Sequence, residues 1–345
     1  MGNSTVGVGL IGAGRIGRVH AANLVQRIPH ARLIAVADVN ETAAGEVAHR
    51  WGGYATAEYR RLLNDPDIDA ILVCSATNTH APIIIEAAAA GKHIFCEKPI
   101  DLTLAKIDSA LAAVEAAGVK LQIGFNRRFD ANFARVRQAI VSGEIGQPHL
   151  LHIISRDPAP PPLAYIEVSG GIFLDMTIHD FDMARFLMGC DATEVYATGA
   201  VLIDPAIGAA GDLDTALITL KFANGAFGVI DNSRRAVYGY DQRVEVLGSL
   251  GSVATSNNYP NTAVISTGES VRRDLPLNFF MERYTESYVA ELAAFIRAIV
   301  DEQPVPVTGA DGRAPVVMGI AARRSHAENR PVRLSEISAL PELLK

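Results

Sequence analysis

The chain has little of what disulfide-bonded, nucleic-acid-binding or membrane-spanning proteins need. Cysteine occurs only three times, as Cys74, Cys96 and Cys190, and this spacing matches neither a disulfide framework nor a metal motif. The formal net charge is −7, without any run of Lys and Arg, which argues against a nucleic-acid partner. No apolar run approaches the roughly 20 residues that span a bilayer. We therefore expect a cytoplasmic protein with no nucleic-acid, membrane or metal partner.

The most informative segment lies near the N-terminus, where an apolar strand leads into a glycine-rich turn. The strand over residues 6–11 is followed by Gly12-Ala13-Gly14-Arg15-Ile16-Gly17, and then by a helical pattern. Gly12 permits the tight turn, Gly14 the approach of a pyrophosphate, and Gly17 close packing of helix on strand. The helix N-terminus adds free N–H groups and a positive dipole end. We therefore predict a dinucleotide site that includes Gly12, Gly14, Arg15, Ile16 and Gly17.

A carboxylate in the expected place selects between the two common dinucleotides. A second apolar strand, residues 33–37, ends at Asp38, 21 residues after Gly17. A carboxylate there accepts hydrogen bonds from both ribose hydroxyls, whereas a 2′-phosphate would meet its negative charge. Val39 and Asn40 follow, so no Arg is available to bind such a phosphate. The predicted cofactor is NAD rather than NADP.

Strands and helices continue to alternate as far as residue 124. The pattern predicts helices over 42–51, 59–63, 82–90 and 103–117, and strands over 70–74, 93–96 and 119–123. Alternation of this length is typical of a doubly wound parallel sheet. We therefore predict an α/β fold that begins with an NAD-binding Rossmann domain over residues 1–124.

The periodicity changes near residue 125, where extended segments separated by turns become dominant. After a helix over 130–142, the pattern predicts strands over 150–155, 194–202, 216–222, 226–233, 242–247, 252–256 and 262–266. The turn Ala223-Asn224-Gly225 is a hairpin signal. Two helices are then predicted, over 281–300 and 311–329. The prediction is a C-terminal α/β domain over 125–345 with an open, mostly antiparallel sheet, whose last helices either stay with it or pack back on the first domain.

Polar side chains follow the predicted strand 70–74, at the edge where ligands of doubly wound sheets collect. Thr77, Asn78 and His80 are candidates to line the nicotinamide half of a dinucleotide. Thr79 beside them is equally suited to cap the following helix. The function of this segment therefore stays open between cofactor binding and helix capping.

The next strand also ends in polar residues, Glu97-Lys98-Pro99. Because a proline follows, the backbone of Lys98 is held extended or in a tight turn. Lys98 then points into the ligand crevice, and the alternative is a surface lysine paired with Glu97.

A third group of polar residues lies in the segment 170–182. Apolar spacing from Ile172 predicts a helix, on which Asp175 and His179 stand on one face at i and i+4. A neutral imidazole can take a proton from an alcohol, and a nearby carboxylate stabilises the imidazolium that forms. The alternative is a capping Asp175 and a buried, satisfied His179. Asp180 and Asp182 do not make this a metal site, because residues at i, i+1 and i+3 cannot all face one ion.

Taken together, these motifs resemble the Gfo/Idh/MocA oxidoreductase family. The resemblance rests on the glycine motif, on Glu97-Lys98-Pro99, and on Asp175 with His179 after a Gly-Gly pair. Further matches cover the segments 124–130, 155–158, 238–243 and 278–284, and Tyr288.

The resemblance implies a homotetramer, formed through the open sheet of the second domain, and it implies roles for particular residues. Lys98, Asp175 and His179 become the catalytic residues. Glu97 and Lys98 join the cofactor-binding residues. Candidates for holding a polyol, or for ordering its surroundings, are Arg127, Asp157, Tyr240 and Tyr288.

The resemblance implies, as the expected activity, NAD-dependent oxidation of myo-inositol to 2-keto-myo-inositol (scyllo-inosose) by hydride transfer to nicotinamide. Within the same family, the alternative is a dehydrogenase of scyllo-inositol or of an aldose such as glucose. A third alternative is an NAD(P)-binding regulator without turnover. The complete set of Lys98, Asp175 and His179 argues against the regulator, which needs no aligned base.

Overall fold

The computed structural model describes residues 5–338 and divides into two compact units. The first unit contains the chain up to Phe129 together with Glu286–Ala314, and the second contains Asp130–Thr285 together with the chain from Pro315. The sequence-based boundary after residue 124 thus lies a few residues before the first division. The segment Glu286–Ala314, which carries parts of the last two predicted helices, lies in the first unit.

The first unit is built on a parallel six-stranded sheet with the order β3-β2-β1-β4-β5-β6. Its strands are β1 (Val6–Ile11), β2 (Ala31–Ala37), β3 (Tyr54–Thr56), β4 (Ala70–Val73), β5 (His93–Glu97) and β6 (Leu121–Gly124). Its first helices are α1 (Arg15–Arg27), α2 (Glu41–Trp51), α3 (Arg60–Leu63), α4 (Thr77–Ala89) and α5 (Leu104–Ala117). Every residue of β1 and of β4 is buried, as expected for parallel strands covered on both faces. The predicted Rossmann architecture is confirmed.

The second unit is built on a seven-stranded sheet with the order β12-β11-β7-β10-β9-β8-β15. The strands from here on are β7 (Pro148–Arg156), β8 (Ala192–Ala200), β9 (Thr215–Phe222), β10 (Phe227–Ser233), β11 (Asp241–Gly248), β12 (Ser252–Ala254), β13 (Val264–Ser266), β14 (Val271–Arg273) and β15 (Val332–Arg333). Within this sheet, as far as residues 5–338 show, β7 and β10 are the one parallel pair, so the predicted mostly antiparallel sheet is confirmed. The predicted hairpin joins β9 to β10, with Gly225 at φ +87°.

Helices cover one face of this sheet. The remaining helices of the chain are α6 (Ala131–Val141), α7 (Leu163–Ser169), α8 (Ile172–Asp175), α9 (Thr177–Met188), α10 (Pro205–Ala209), α11 (Phe280–Arg283), α12 (Thr285–Val300), α13 (Gly309–Glu328) and α14 (Leu334–Ser338). Helix α9 packs on β7 and β10, where Ile153 and Ile230 are buried. No helix among residues 5–338 is long and apolar enough to cross a membrane.

The structure corrects three of the predicted helices. The single helix predicted over 281–300 is divided at Tyr284, whose φ and ψ of −114° and 18° are not helical. Helix α4 begins at Thr77 rather than at Pro82, which lies inside it. The predicted helix through Asp175 and His179 is two helices, α8 and α9, which meet at Met176.

Candidate active site

The glycine-rich turn after β1 is shaped by close backbone approaches. Gly12 has φ +103°, and a Cβ there would lie 2.5 Å from the carbonyl carbon of Cys74. A Cβ on Gly17 would lie 1.9 Å from the carbonyl oxygen of Gly12, so α1 packs against the turn only with glycine at this position. A Cβ on Gly14 would meet nothing within 4 Å. The open side of the turn is therefore at Gly14, where the sequence predicts a pyrophosphate.

The N-terminus of α1 faces this open side without a side-chain cap. Gly14 is the N-cap residue, and the first turn contains no acidic residue. Arg15 is exposed and Ile16 is half-buried. Backbone N–H groups without a side-chain acceptor at a helix N-terminus form an anion site. This end of α1 thus fits the phosphates of a dinucleotide.

Asp38 lies directly after β2, at the same edge of the sheet. Its Oδ2 accepts a hydrogen bond of 2.7 Å from the N–H of Ala13, and its Oδ1 accepts one of 2.8 Å from the N–H of Asn40. These bonds fix the carboxylate beside the glycine-rich turn. The position agrees with the predicted contact to a ribose.

The residues predicted to line the nicotinamide half occupy the first turn of α4. Asn78 is exposed and Thr77 is half-buried. His80 is buried, with Nδ1 2.8 Å from the carbonyl oxygen of Pro99 and Nε2 3.0 Å from that of Ser75. His80 therefore links two loops at this edge of the sheet, and a contact between its side chain and a cofactor stays a prediction.

Thr79 does not cap α4. Its hydroxyl donates to the carbonyl oxygen of Ala76 at 2.6 Å, and Ala76 is the N-cap residue. The predicted capping role is therefore wrong, because the helix begins earlier than the polar sequence indicated.

Glu97 and Lys98 stand at the carboxyl end of β5. Lys98 is half-buried, and its peptide bond to Pro99 is cis. The Oε1 of Glu97 lies 2.7 Å from Nε2 of His20, a buried residue of α1. This imidazole engages one carboxylate oxygen of Glu97 from within the first unit.

In the second unit, Asp175 is held from two sides. The hydroxyl of Tyr165 donates to its Oδ1 at 2.8 Å, and Arg234 donates to its Oδ2 at 3.4 Å. Partial burial, and then the charge of Asp175, raise the pKa of Tyr165, so its hydroxyl stays protonated and able to donate. His179 follows in the first turn of α9 and is half-buried. The carboxylate predicted to orient the imidazole is thus fixed.

Arg234 extends this arrangement to the start of α8. The guanidinium is 1% exposed and also donates to Oδ2 of Asp212 at 3.0 Å. The other oxygen of Asp212 accepts from the N–H of Ile172, the first residue of α8, at 2.8 Å. One buried guanidinium and two carboxylates therefore fix both ends of the short helix.

The four predicted polyol-binding residues differ in exposure. Asp157 is half-buried after β7, where its backbone N–H donates to the carbonyl oxygen of Ser233 at 2.9 Å. Arg127, Tyr240 and Tyr288 are 5%, 6% and 8% exposed. Their burial fits ordering of the surroundings better than a broad contact with a ligand.

The sequence did not point to Tyr165 and Arg234, which hold Asp175, or to Asp212, which binds Arg234 and the start of α8. It also did not point to His20 and Glu291, which lie near Glu97. In the part of the chain described, His20, Glu97 and Glu291 offer ligand-type atoms within 4.8 Å of one another. An available signal was the presence of ionisable residues inside apolar helical stretches, as for Glu291 in α12.

The family models match both parts of the chain. Residues 6–125 match the oxidoreductase family with an NAD-binding Rossmann fold, and residues 133–254 match the Gfo/Idh/MocA C-terminal domain.

Individual relatives are similar over almost the whole chain. A myo-inositol 2-dehydrogenase of Thermotoga maritima is 51% identical over 96% of this chain and 99% of its own. An inositol 2-dehydrogenase of Rhizobium meliloti is 49% identical over 96% of this chain and 100% of its own. A scyllo-inositol 2-dehydrogenase (NAD(+)) of Bacillus subtilis is 38% identical over 94% and 95%.

Solved structures agree with these sequence relatives. The crystal structure of a myo-inositol dehydrogenase from Corynebacterium glutamicum is 41% identical, with a TM-score of 0.92 over 96% of this chain and 99% of that one. The glycine-rich turn, Glu97-Lys98-Pro99 and the fixed Asp175 before His179 thus occur in a chain that belongs to the Gfo/Idh/MocA oxidoreductase family, with an NAD-binding Rossmann domain at its N-terminus.

Proposed function

We propose that this protein oxidises myo-inositol to scyllo-inosose with NAD as the hydride acceptor. The observation that carries the proposal is the Asp175 carboxylate, fixed by Tyr165 and Arg234 four residues before His179, in a chain with an NAD-binding fold. The choice of inositol is supported by the names of two of the relatives that are about half identical to this chain.

Three residues carry the chemistry in this proposal. His179 accepts the proton of the reacting hydroxyl, and Asp175 orients the imidazole and stabilises its charged form. Lys98 donates a hydrogen bond to the reacting oxygen and stabilises the developing alkoxide. NAD, when bound, would supply the carbon that accepts the hydride, which leaves the ring carbon that bears the reacting hydroxyl.

Cofactor binding is assigned to the first unit. The open side of the turn at Gly14 and the uncapped start of α1 accommodate the phosphates, and Asp38 accepts from the ribose hydroxyls. The remaining cofactor-binding residues in this proposal are Gly12, Arg15, Ile16, Gly17, Thr77, Asn78, His80, Glu97 and Lys98. The negative charge of Asp38 favours NAD over NADP.

Specificity for a polyol requires paired donors and acceptors, since each unpaired buried polar group costs binding energy. Asp157 is assigned a direct contact with the hydroxyls, because it is half-buried. Arg127, Tyr240 and Tyr288 are assigned to ordering its surroundings, because they are almost fully buried.

The second candidate substrate is scyllo-inositol, which differs from myo-inositol at one ring hydroxyl. It is supported by the 38% identity to the scyllo-inositol 2-dehydrogenase. The identity is lower than to the two inositol 2-dehydrogenases, so myo-inositol is preferred here.

We also propose a cytoplasmic homotetramer. The uncovered face of the second unit's sheet carries Leu247, Leu150 and Phe227 as direct neighbours across β11, β7 and β10. These side chains are 45%, 42% and 56% exposed. A contiguous apolar row on an uncovered sheet face is typical of a subunit interface. The three cysteines are free, which fits a reducing compartment.

Initial rates of nicotinamide reduction test the proposed activity. The substrates are myo-inositol, scyllo-inositol and glucose, each with NAD and with NADP. We expect the highest kcat/KM with myo-inositol and NAD. A higher kcat/KM with scyllo-inositol or glucose would mean that this compound, and not myo-inositol, is the preferred substrate. Binding of NAD without turnover of any of the three would favour a regulator.

A further inference from the structure

Three ionisable side chains meet in the interior of the first unit. His20 of α1 and Glu291 of α12 are each 0% exposed, and the side chain of Glu97 at the end of β5 is 12% exposed. The imidazole of His20 packs edge-on against Phe95 and Tyr288, with ring centroids 5.1 and 5.9 Å apart. We call these three residues the buried triad.

The hydrogen bonds of the buried triad indicate how its protons are distributed. Nε2 of His20 lies 2.7 Å from Oε1 of Glu97, whereas Nδ1 of His20 is buried with no hydrogen-bond partner among residues 5–338. An imidazolium would leave a buried N–H donor unpaired at Nδ1, which is costly. A neutral His20 that donates from Nε2 to an anionic Glu97 avoids this cost.

Glu291 is the member that requires an explanation. Neither carboxyl oxygen has a hydrogen-bond partner in the described part of the chain, although both are fully buried. Burial, and then the charge of Glu97, raise the pKa of Glu291 well above its usual value. The Cys74 thiol also faces this region, and burial raises its pKa well above the usual value, so it stays neutral. Glu291 is therefore the protonated acid of the triad.

Glu97 is fixed closely within this arrangement. A Cβ on Gly124 of the neighbouring strand would lie 3.2 Å from Oε2 of Glu97, so the carboxylate fills the space that a larger residue would occupy. On the other side of Lys98, the carbonyl oxygen of Pro99 lies 2.8 Å from Nδ1 of His80. Lys98 is thus flanked by two residues that buried imidazoles hold in place.

We infer that His20 is a positioning residue for the proposed reaction: it holds Glu97 in place beside a protonated Glu291, so that Glu97 is the single negative charge of the buried triad, and Glu97 in turn places Lys98. This inference rests on the proposed role of Lys98. It adds to the site one residue, His20, that binds neither substrate nor cofactor itself.

The protonation state of Glu291 is tested by measuring thermal stability at several pH values, an experiment that does not depend on enzyme activity. A carboxyl group that stays protonated in the native state but ionises on unfolding lowers the free energy of unfolding as the pH rises above the pKa that the group has in the unfolded state. Glu291→Gln removes that cost. We expect the Tm of the variant minus that of the wild type to increase from pH 5 to pH 8, by about 2 °C per pH unit.

Two other results would overturn this assignment. A Tm difference that does not change with pH means that Glu291 holds no extra proton. A loss of Tm at every pH, together with one equivalent of a bound divalent metal in the wild type and none in the variant, means that the triad is a metal site. Metal content of the purified protein is measured by mass spectrometry.

The positioning role is tested with two substitutions of His20. His20→Gln retains an N–H donor at the ε position toward Glu97, whereas His20→Leu does not. We expect His20→Leu to lower kcat at least tenfold, and His20→Gln to restore kcat to within about threefold of the wild type. Equal kcat values for the two variants at equal Tm would overturn the positioning role. If the wild type has no inositol turnover, the proposed function fails, while the pH dependence of Tm still reports on Glu291.

Discussion

His179 is the residue on which the proposed chemistry depends most. We expect His179→Ala to lower kcat by about 10²–10⁴-fold, because a general base contributes that much to proton transfer. The Kd for NAD, measured by fluorescence titration, is expected to stay within about twofold, because the cofactor residues are assigned to the other unit. Comparable losses in kcat and in NAD affinity would contradict the assignment of His179 as the base.

Tyr165 offers a finer test, because it touches Asp175 without being assigned to the reaction. Tyr165→Phe removes the hydroxyl that donates to Oδ1 of Asp175 at 2.8 Å. We expect kcat to fall about three- to tenfold, since one charge-assisted hydrogen bond is lost, with little change in Tm because the residue is 47% exposed. Tyr259→Phe, which removes an exposed hydroxyl that accepts from Arg273, is the matched control. Equal kcat values in the two variants would show that this bond does not orient Asp175.

Single residues also show how much of the site could be predicted. Asp38 was predicted because its distance from the glycines is fixed by one strand and one helix. Arg234 and Asp212 were not, because they lie 59 and 40 residues from Asp175 and Ile172, the residues to which they are bonded. The contact between His20 and Glu97 spans 77 residues. Such pairs depend on sheet topology, which local patterns do not contain.

Among the elements, the turn between β1 and α1 allows two alanine substitutions to be compared, one at Gly17 and one at Gly14. Gly17→Ala places a Cβ 1.9 Å from the carbonyl oxygen of Gly12, so α1 must move, and we expect a loss of about 3 kcal/mol in the free energy of unfolding. Gly14→Ala places its Cβ in open space and is expected to keep the wild-type stability but to weaken NAD binding at least tenfold. Thermal unfolding and NAD titration of both variants measure this. Equal stability of the two would contradict the packing role of Gly17.

The elements themselves followed the sequence pattern where one face or both faces are regularly apolar. The buried strands of the first unit and the hairpin at Gly225 are examples. The division between α8 and α9 had no such signal, because apolar spacing continues through Met176. There the hydroxyl of Thr177 donates to Oδ1 of Asn232 at 2.5 Å, and its oxygen also lies 3.1 Å from the carbonyl oxygen of Ile172. Contact with β10 therefore sets the local geometry.

At the scale of the whole molecule, the uncovered sheet face predicts the assembly. We expect Phe227→Asp to dissociate the proposed tetramer, because a buried unpaired carboxylate opposes association. Val39→Asp, at a position 95% exposed in the first unit, is the control and should remain tetrameric. Light scattering coupled to size exclusion gives the mass of each. A tetramer for Phe227→Asp would show that this face is not the interface.

In the proposed reaction, a hydride passes from a ring carbon of myo-inositol to NAD. The direct measurement is the fate of deuterium from myo-inositol labelled at carbon 2, followed by mass spectrometry of the nicotinamide cofactor and of the ketone. We predict one deuterium in each reduced cofactor molecule and none in the scyllo-inosose formed with it. Reduced cofactor without deuterium, or no reduction of NAD at all, would contradict the account.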